Sequence, residues 1–237
     1  MTQFIDIRNN NNNIIVNDNF INYVYTGQRQ LSWENDYRGN GQHTIIKLRS
    51  YTELLAFYNR GDTPVQMYTT RLAVNGPMRR YYGIMGKQNT KVNANDILCF
   101  SFDIPGTSLP SREGLQVLNS DGRIIFDSQQ KYMKIKKIIH QIYLDDEGNL
   151  ALEDESGISI PPKCGIVFTH TPTYRIAYGD DGLAYEALAL ILNGHNTSID
   201  EGPLQYADFW DVGEETYDDF TTMYTRDILA VDLSDYI

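Results

Sequence analysis

Basic residues are scarce in this sequence. Lys and Arg number 20 against 31 Asp and Glu, a formal net charge of −11. Nucleic-acid affinity comes mainly from Lys and Arg neutralising phosphates, so a chain this acidic is a poor nucleic-acid binder. An anionic membrane surface is disfavoured for the same reason. Long apolar runs are also missing: no stretch approaches the roughly 20 apolar residues that a membrane-spanning helix needs. Residues Met1 to Ile7 show no basic stretch followed by an apolar one, so synthesis in the cytoplasm without a signal peptide is expected. There are only two cysteines, Cys99 and Cys164, with no CxxC spacing. They read as free thiols of a protein made in a reducing compartment, a bridge between them being left open.

Histidine is as sparse. His43, His140, His170 and His195 lie far apart, and no HxH or HExxH spacing gathers them toward a metal. The phosphate-loop, GxGxxG and GxSxG patterns are absent as well. The sequence therefore points to no catalytic residue, no cofactor and no metal. Two acidic clusters bear on this. Asp145-Asp146-Glu147-Gly148-Asn149 places oxygen ligands as a calcium loop would, but the twelfth position is Ser156 where a Glu is required, so it reads as a polar hairpin turn. Glu214, Glu215, Asp218 and Asp219 read as a solvated acidic face, because catalytic carboxylate pairs must flank a scissile bond at a set separation.

Aromatic and turn-forming residues are abundant. The chain has 17 Tyr, 9 Phe and 2 Trp, and the aromatic and β-branched content favours strands. Turn signals recur at Asn9–Asn13, Gly39-Asn40-Gly41, Gly61-Asp62, Asn75-Gly76, Asp121-Gly122, Gly179–Gly182 and Asn193-Gly194. Many short segments between such signals indicate an all-β protein built as a sandwich or barrel. Strands are expected at Thr44–Leu48, Val65–Thr69, Tyr81–Met85, Lys134–Tyr143, Gly165–Thr169, Tyr174–Tyr178 and Leu183–Leu192. Ser50-Tyr51-Thr52-Glu53 has capping-box spacing and predicts a short helix through Tyr58.

The sequence also repeats itself. Ile5–Asp18 aligns without a gap to Leu115–Ser128, an offset of 115 − 5 = 110 residues. Each segment reads as a strand, a polar turn and a second strand. Asp121-Gly122 supplies the positive φ a tight hairpin needs, and Asn residues do so in the earlier segment. A second match, Asp96–Phe102 with Asp227–Leu233, closes each half at an offset of 131, leaving about 21 extra residues that the acidic stretch near 200–219 accommodates. The expectation is a tandem duplication of two β-sandwich-like domains, 1–107 and 112–237, joined through Pro105-Gly106-Thr107-Ser108-Leu109-Pro110-Ser111. Trp33 lies in the polar segment Gln30–Asn35, and Tyr206, Phe209 and Trp210 lie in the acidic insertion. Loop aromatics of this kind serve as protein-interface anchors or sugar-stacking platforms, or else plug the ends of a sandwich.

The segment Gly114–Ser128 reads G-L-x-V-x-N-x-x-G-x-x-x-F-D-S. It resembles hairpins that open small β-rich domains in minor tail and other virion structural proteins of tailed bacteriophages and prophages. The earlier segment lacks the Gly and the Phe-Asp-Ser ending. The resemblance implies a non-enzymatic structural subunit of a phage particle, in the tail, tail tip or connector region. It would be located in the virion, with other virion proteins as partners and homo-oligomeric assembly. The alternative is a carbohydrate-binding or adhesion module using Trp33, Tyr206, Phe209 or Trp210. A hydrolase assembled from distant carboxylates is a third class, for which no motif speaks.

Overall fold

In a computed structural model the described residues are 6–8, 14–17, 22–35, 42–72, 79–86, 92–93, 95–104, 114–119, 121–122, 124–144, 150–152, 158–168, 173–178, 182–203 and 227–237. Tyr206, Phe209, Trp210, the 145–149 turn, the 214–219 cluster and His170 lie outside them.

The described chain is almost entirely strand. Residues up to 104 give β1 (Asp6–Arg8), β2 (Ile14–Asn17), β3 (Val24–Arg29), β4 (Glu34–Asn35), β5 (Gln42–Lys47), β6 (Leu54–Asn59), β7 (Val65–Leu72), β8 (Arg79–Gly86) and β9 (Ile97–Asp103). Residues from 114 onward give β10 (Gln116–Leu118), β11 (Ile124–Asp127), β12 (Ile135–Leu144), β13 (Leu150–Leu152), β14 (Ile158–Ser159), β15 (Cys164–Val167), β16 (Thr173–Tyr178), β17 (Gly182–Leu192), β18 (Ser198–Pro203) and β19 (Asp227–Asp232). The one helical turn among the described residues is a 3₁₀ turn at Gly194–Asn196. Every pairing between described strands is antiparallel.

The helix expected at Ser50–Tyr58 is a strand instead. The local cap does form: the Ser50 hydroxyl accepts from the Thr52 and Glu53 amides at 3.2 and 2.9 Å. The chain then runs directly into β6, whose Leu55, Ala56 and Phe57 are all fully buried. Leu55 and Phe57 face one apolar cluster and Ala56 the other. A helix would place three successive side chains around its circumference. A strand places them on two opposite faces, which is what two flanking cores require. Leu183–Leu192, also rich in helix formers, is a strand as expected.

Two large sheets dominate. One runs β13-β12-β19-β15-β6-β9-β3, the other β14-β18-β17-β7-β8-β5-β4, with β16 paired to β17. Both cross residues 105–113: β6 pairs with β15 in the first, and β7 with β17 in the second. The connectivity before that stretch recurs after it. In the first sheet β3-β9-β6 is matched by β12-β19-β15, and in the second β5-β8-β7 by β14-β18-β17. The small hairpins agree to the residue. Asp6↔Asn17, Ile7↔Val16 and Arg8↔Ile14 in β1–β2 become Gln116↔Asp127, Val117↔Phe126 and Leu118↔Ile124 in β10–β11, with the same irregularity before the last pair. Strands β2 and β11 lie against one another.

Side chains from both large sheets meet in one buried cluster. Leu55, Phe57, Cys99, Ile166 and Ala230 come from the seven-stranded sheet, and Val65, Met67, Ile84, Leu190 and Leu192 from the eight-stranded one. The other face of the seven-stranded sheet carries a second cluster of Ala56, Phe100, Phe102, Val167, Val231 and Leu233. This sheet curls until its β3 end meets the chain just ahead of β12. The Tyr25 amide donates to the Lys131 carbonyl at 2.7 Å and the Met133 amide to the Tyr23 carbonyl at 2.9 Å, with Tyr132 bridged to Val24. Gly165 leaves room for a close approach between strands: a Cβ added there would lie 2.5 Å from Leu233 Cδ1 and 3.2 Å from the Phe57 carbonyl. Closing edge on edge shelters main-chain groups that an open sheet would leave for other chains to pair with.

Candidate interaction site on the second hairpin

The hairpin at 114–132 is the part of the chain that carries the phage resemblance. Each residue of its pattern has a local task. Gly114 adopts φ +110, and a Cβ there would stand 2.5 Å from Ser128 Oγ. Leu115 and Ser128 close the hairpin base: the Ser128 amide donates to the Leu115 carbonyl, and the Leu115 amide to Ser128 Oγ, each at 2.9 Å. At the tip the Asn119 side chain accepts from the Asp121 amide at 3.1 Å. Gly122 turns the chain with φ +74, its amide donating to the Asn119 carbonyl at 3.0 Å. Val117 and Ile125 form a small buried core of their own, with Phe126 packed beside it.

The Phe-Asp-Ser ending anchors the base. Phe126 stacks on Tyr132 with rings 5.4 Å apart and 11° from parallel. Asp127 is buried, accepting from Gln116 Nε2 and from the Gln129 amide at 2.8 Å each. The Tyr132 hydroxyl accepts from the Asp127 amide and donates to its carbonyl. Burial pushes the Tyr132 hydroxyl above its ordinary pKa, the hydrogen bond to the Asp127 backbone pulls it back in part, and the Asp127 charge adds to the rise.

Two of the side chains this hairpin exposes are large and apolar. Leu115 is 58% exposed and Leu118 54% exposed. Ile135 and Ile138, on the strand after it, are 48% exposed each. Where such side chains form a contiguous patch they mark a protein contact site. None of these four is among the contact residues expected from the sequence. The available signal is the run Lys134-Ile135-Lys136-Lys137-Ile138-Ile139, where Ile138 and Ile139 are neighbours and on a strand must point to opposite faces.

Trp33, a candidate aromatic platform on sequence grounds, packs partly buried against the larger cluster. Its indole Nε1 is buried and has no hydrogen-bond partner among the described residues. The other three aromatics fall outside the described residues.

The buried polar groups elsewhere belong to frameworks. Arg29 Nη1 meets Glu53 Oε1 at 2.6 Å with Glu53 almost wholly buried, and Ser101 Oγ donates to the same oxygen at 2.6 Å. The Arg49 amide binds the other carboxylate oxygen. Asn59 and Asn196, both buried, tie the β6–β7 turn to the 3₁₀ turn: the Asn59 amide donates to Asn196 Oδ1 at 3.2 Å, and Asn196 Nδ2 to the Cys164 carbonyl. His195, at φ +53, points its two ring nitrogens at the Arg60 carbonyl, 3.1 Å away, and at Asp62 Oδ1, 2.6 Å away. Cys99 and Cys164 are free and buried, and burial pushes both thiols up, opposite to what a nucleophilic cysteine needs. Among the described residues no three His, Cys, Asp or Glu side chains gather as metal ligands.

No family model, no curated protein and no solved structure matches the chain.

Proposed function

We propose that this chain is a structural subunit of a phage particle that works by assembly with other virion proteins, itself included. The observation that carries the reading is the second hairpin. The residues that resemble phage tail proteins are the ones that fix the hairpin, and that hairpin holds Leu115 and Leu118 half exposed. Such side chains, mounted on a locked scaffold, need little ordering on contact, which favours association.

We also read the chain as a tandem duplication of a β-sandwich-like unit. The recurring connectivity and the hairpin registers offset by 110 residues support this. The two units share both sheets, so the duplicated parts work as one body. The test is mass spectrometry of gradient-purified particles of the phage that encodes the chain. The chain recovered at a fixed ratio to the major tail proteins is the expected result; its absence from intact particles overturns the reading.

A further inference from the structure

The joint between residues 6–104 and 114–237 has the character of a two-fold contact. Phe57 faces Ile166 and Ala56 faces Val167 across β6 and β15. Phe57 pairs on its other side with Cys99, and Ile166 with Ala230, so the two central residues hold the same place in matching strand triplets. In the other sheet Met67, Gln66 and Val65 pair with Leu190, Ile191 and Leu192. The Asn59 amide reaches Asn196, Asn59 Nδ2 reaches the Leu192 carbonyl at 3.3 Å, and the His195 amide donates to the Gly61 carbonyl at 2.7 Å. At the opposite seam Tyr23–Tyr25 meets Lys131–Met133. All of this is non-covalent. The covalent tie is residues 105–113, rich in Pro, Gly and Ser.

We propose that the same joint forms between two copies of the chain, residues 6–104 of one pairing with residues 114–237 of another. The partner is a second copy because each half already carries, in full, the surface that the other half of an identical chain fits. The exchanged contacts are those of the single chain, so exchange needs no new complementary surface and costs mainly the entropy of bringing two chains together. Reciprocal exchange closes a dimer; one-way exchange links copy to copy, a route to a ring or a filament. The inference rests on the assembly reading and gives it a mechanism.

The test uses two full-length preparations with a protease site placed in 105–113, one of natural isotope content with an N-terminal tag, the other uniformly ¹⁵N-labelled and untagged. They are unfolded together, refolded at high concentration, cut, and captured by the tag. The expected result is recovery of labelled residues 114–237 on unlabelled tagged residues 6–104, approaching half of the captured second halves in the oligomeric fraction. Capture of unlabelled second halves alone overturns the proposal, and so does loss of both second halves on cutting. A deletion of Thr107–Pro110 is the second arm: shortening the tie raises the exchanged fraction severalfold, and an unchanged fraction counts against exchange. Particles that contain the chain, with captured halves all unlabelled, leave the subunit reading standing and this one failed. Labelled halves captured for a chain absent from particles give the reverse.

Discussion

Phe57 and Ile166 stand opposite one another on neighbouring strands, one from each half, and both are fully buried in the same cluster. That pair is where the seven-stranded sheet passes from residues before 105 to residues after 113. The consequence is energetic: neither half has a complete core without the other.

Phe57→Ala is therefore expected to loosen the whole molecule at once. Truncating a buried Phe costs about 3–5 kcal/mol. Denaturant unfolding followed by tyrosine fluorescence and by far-UV dichroism should give one coincident transition, shifted to lower denaturant. Two separate transitions, with only one displaced, would show that the halves keep independent cores.

Gly165 tests how closely the chain packs on this face. The added Cβ of Gly165→Ala meets Leu233 Cδ1 at 2.5 Å, and the Phe57 carbonyl leaves it little room on the other side. Overpacking of this kind costs roughly 1–3 kcal/mol. Gly165→Ala combined with Leu233→Ala should cost less than the sum of the two separate losses, because removing Leu233 Cδ1 relieves the clash. The double variant should still fall below wild type, since Leu233 also fills the second cluster. Full tolerance of Gly165→Ala would contradict the close packing on this face.

The buried carboxylate of Glu53 makes a sharper case. Glu53→Ala leaves Arg29 unpaired with 15% of its side chain exposed, and strips the Ser101 hydroxyl and the Arg49 amide of their acceptor. Removing one partner of a buried ion pair costs about 3–5 kcal/mol. The double variant Arg29→Met/Glu53→Met should lose less than Glu53→Ala, since no charge stays uncompensated. An equal or larger loss in the double variant would mean that the pair contributes net stability of its own.

How much of this is legible in the sequence depends on range. The hairpin at Asp121-Gly122 is readable because its determinants are neighbours: Asn119 accepts within the turn, and Gly122 takes a positive φ. The matching segment 110 residues earlier can be found for the same reason. The sequence misleads at β6 because a capping pattern is local, whereas the burial of Leu55, Ala56 and Phe57 on two faces is imposed by strands far along the chain, β9 and β15. An unbroken apolar run does not distinguish strand from buried helix. β18, Ser198–Pro203, has charged residues and a Gly within it, and its pairing with β17 and β14 makes it a strand. Trp33 shows the same limit at the candidate site: a polar sequence neighbourhood hides a ring that packs on the core. The exposed Leu115, Leu118, Ile135 and Ile138 are invisible as a surface, because the sequence shows that they are apolar but not which way they point.

Asp232 sets the acid limit of one corner of the fold. The Ser234 hydroxyl and amide bind its carboxylate, with Lys136 3.1 Å away, and they hold its pKa down at about 2. A carboxylate depressed in the folded state adds stability that is complete above its unfolded pKa of about 3.9 and fades as pH falls toward its folded value. Wild type should therefore lose part of its margin over Asp232→Asn between about pH 4 and about pH 2, while the gap between them stays flat above about pH 5. Urea midpoints for both proteins, taken at neutral pH and at steps down through this window, check this. A constant gap across the series would place the contribution of Asp232 outside its charge.

The hairpin face carries the last expectation. Leu115→Glu/Leu118→Glu changes two side chains that are 58% and 54% exposed. The folded monomer should keep its stability within about 0.5 kcal/mol. Association through this face should suffer far more, because a carboxylate buried at a contact without a partner is strongly disfavoured. Light scattering after size exclusion should show wild type as a discrete assembly and the double variant at or near the 27.2 kDa of one chain. If both proteins assemble alike, the hairpin leucines are not the contact, and assembly runs through the halves or through another surface. If wild type stays at the mass of one chain at every concentration, self-association through this face is excluded. On the proposed subunit reading the leucines would then meet a different virion protein, and the same variant should vanish from purified particles while wild type remains.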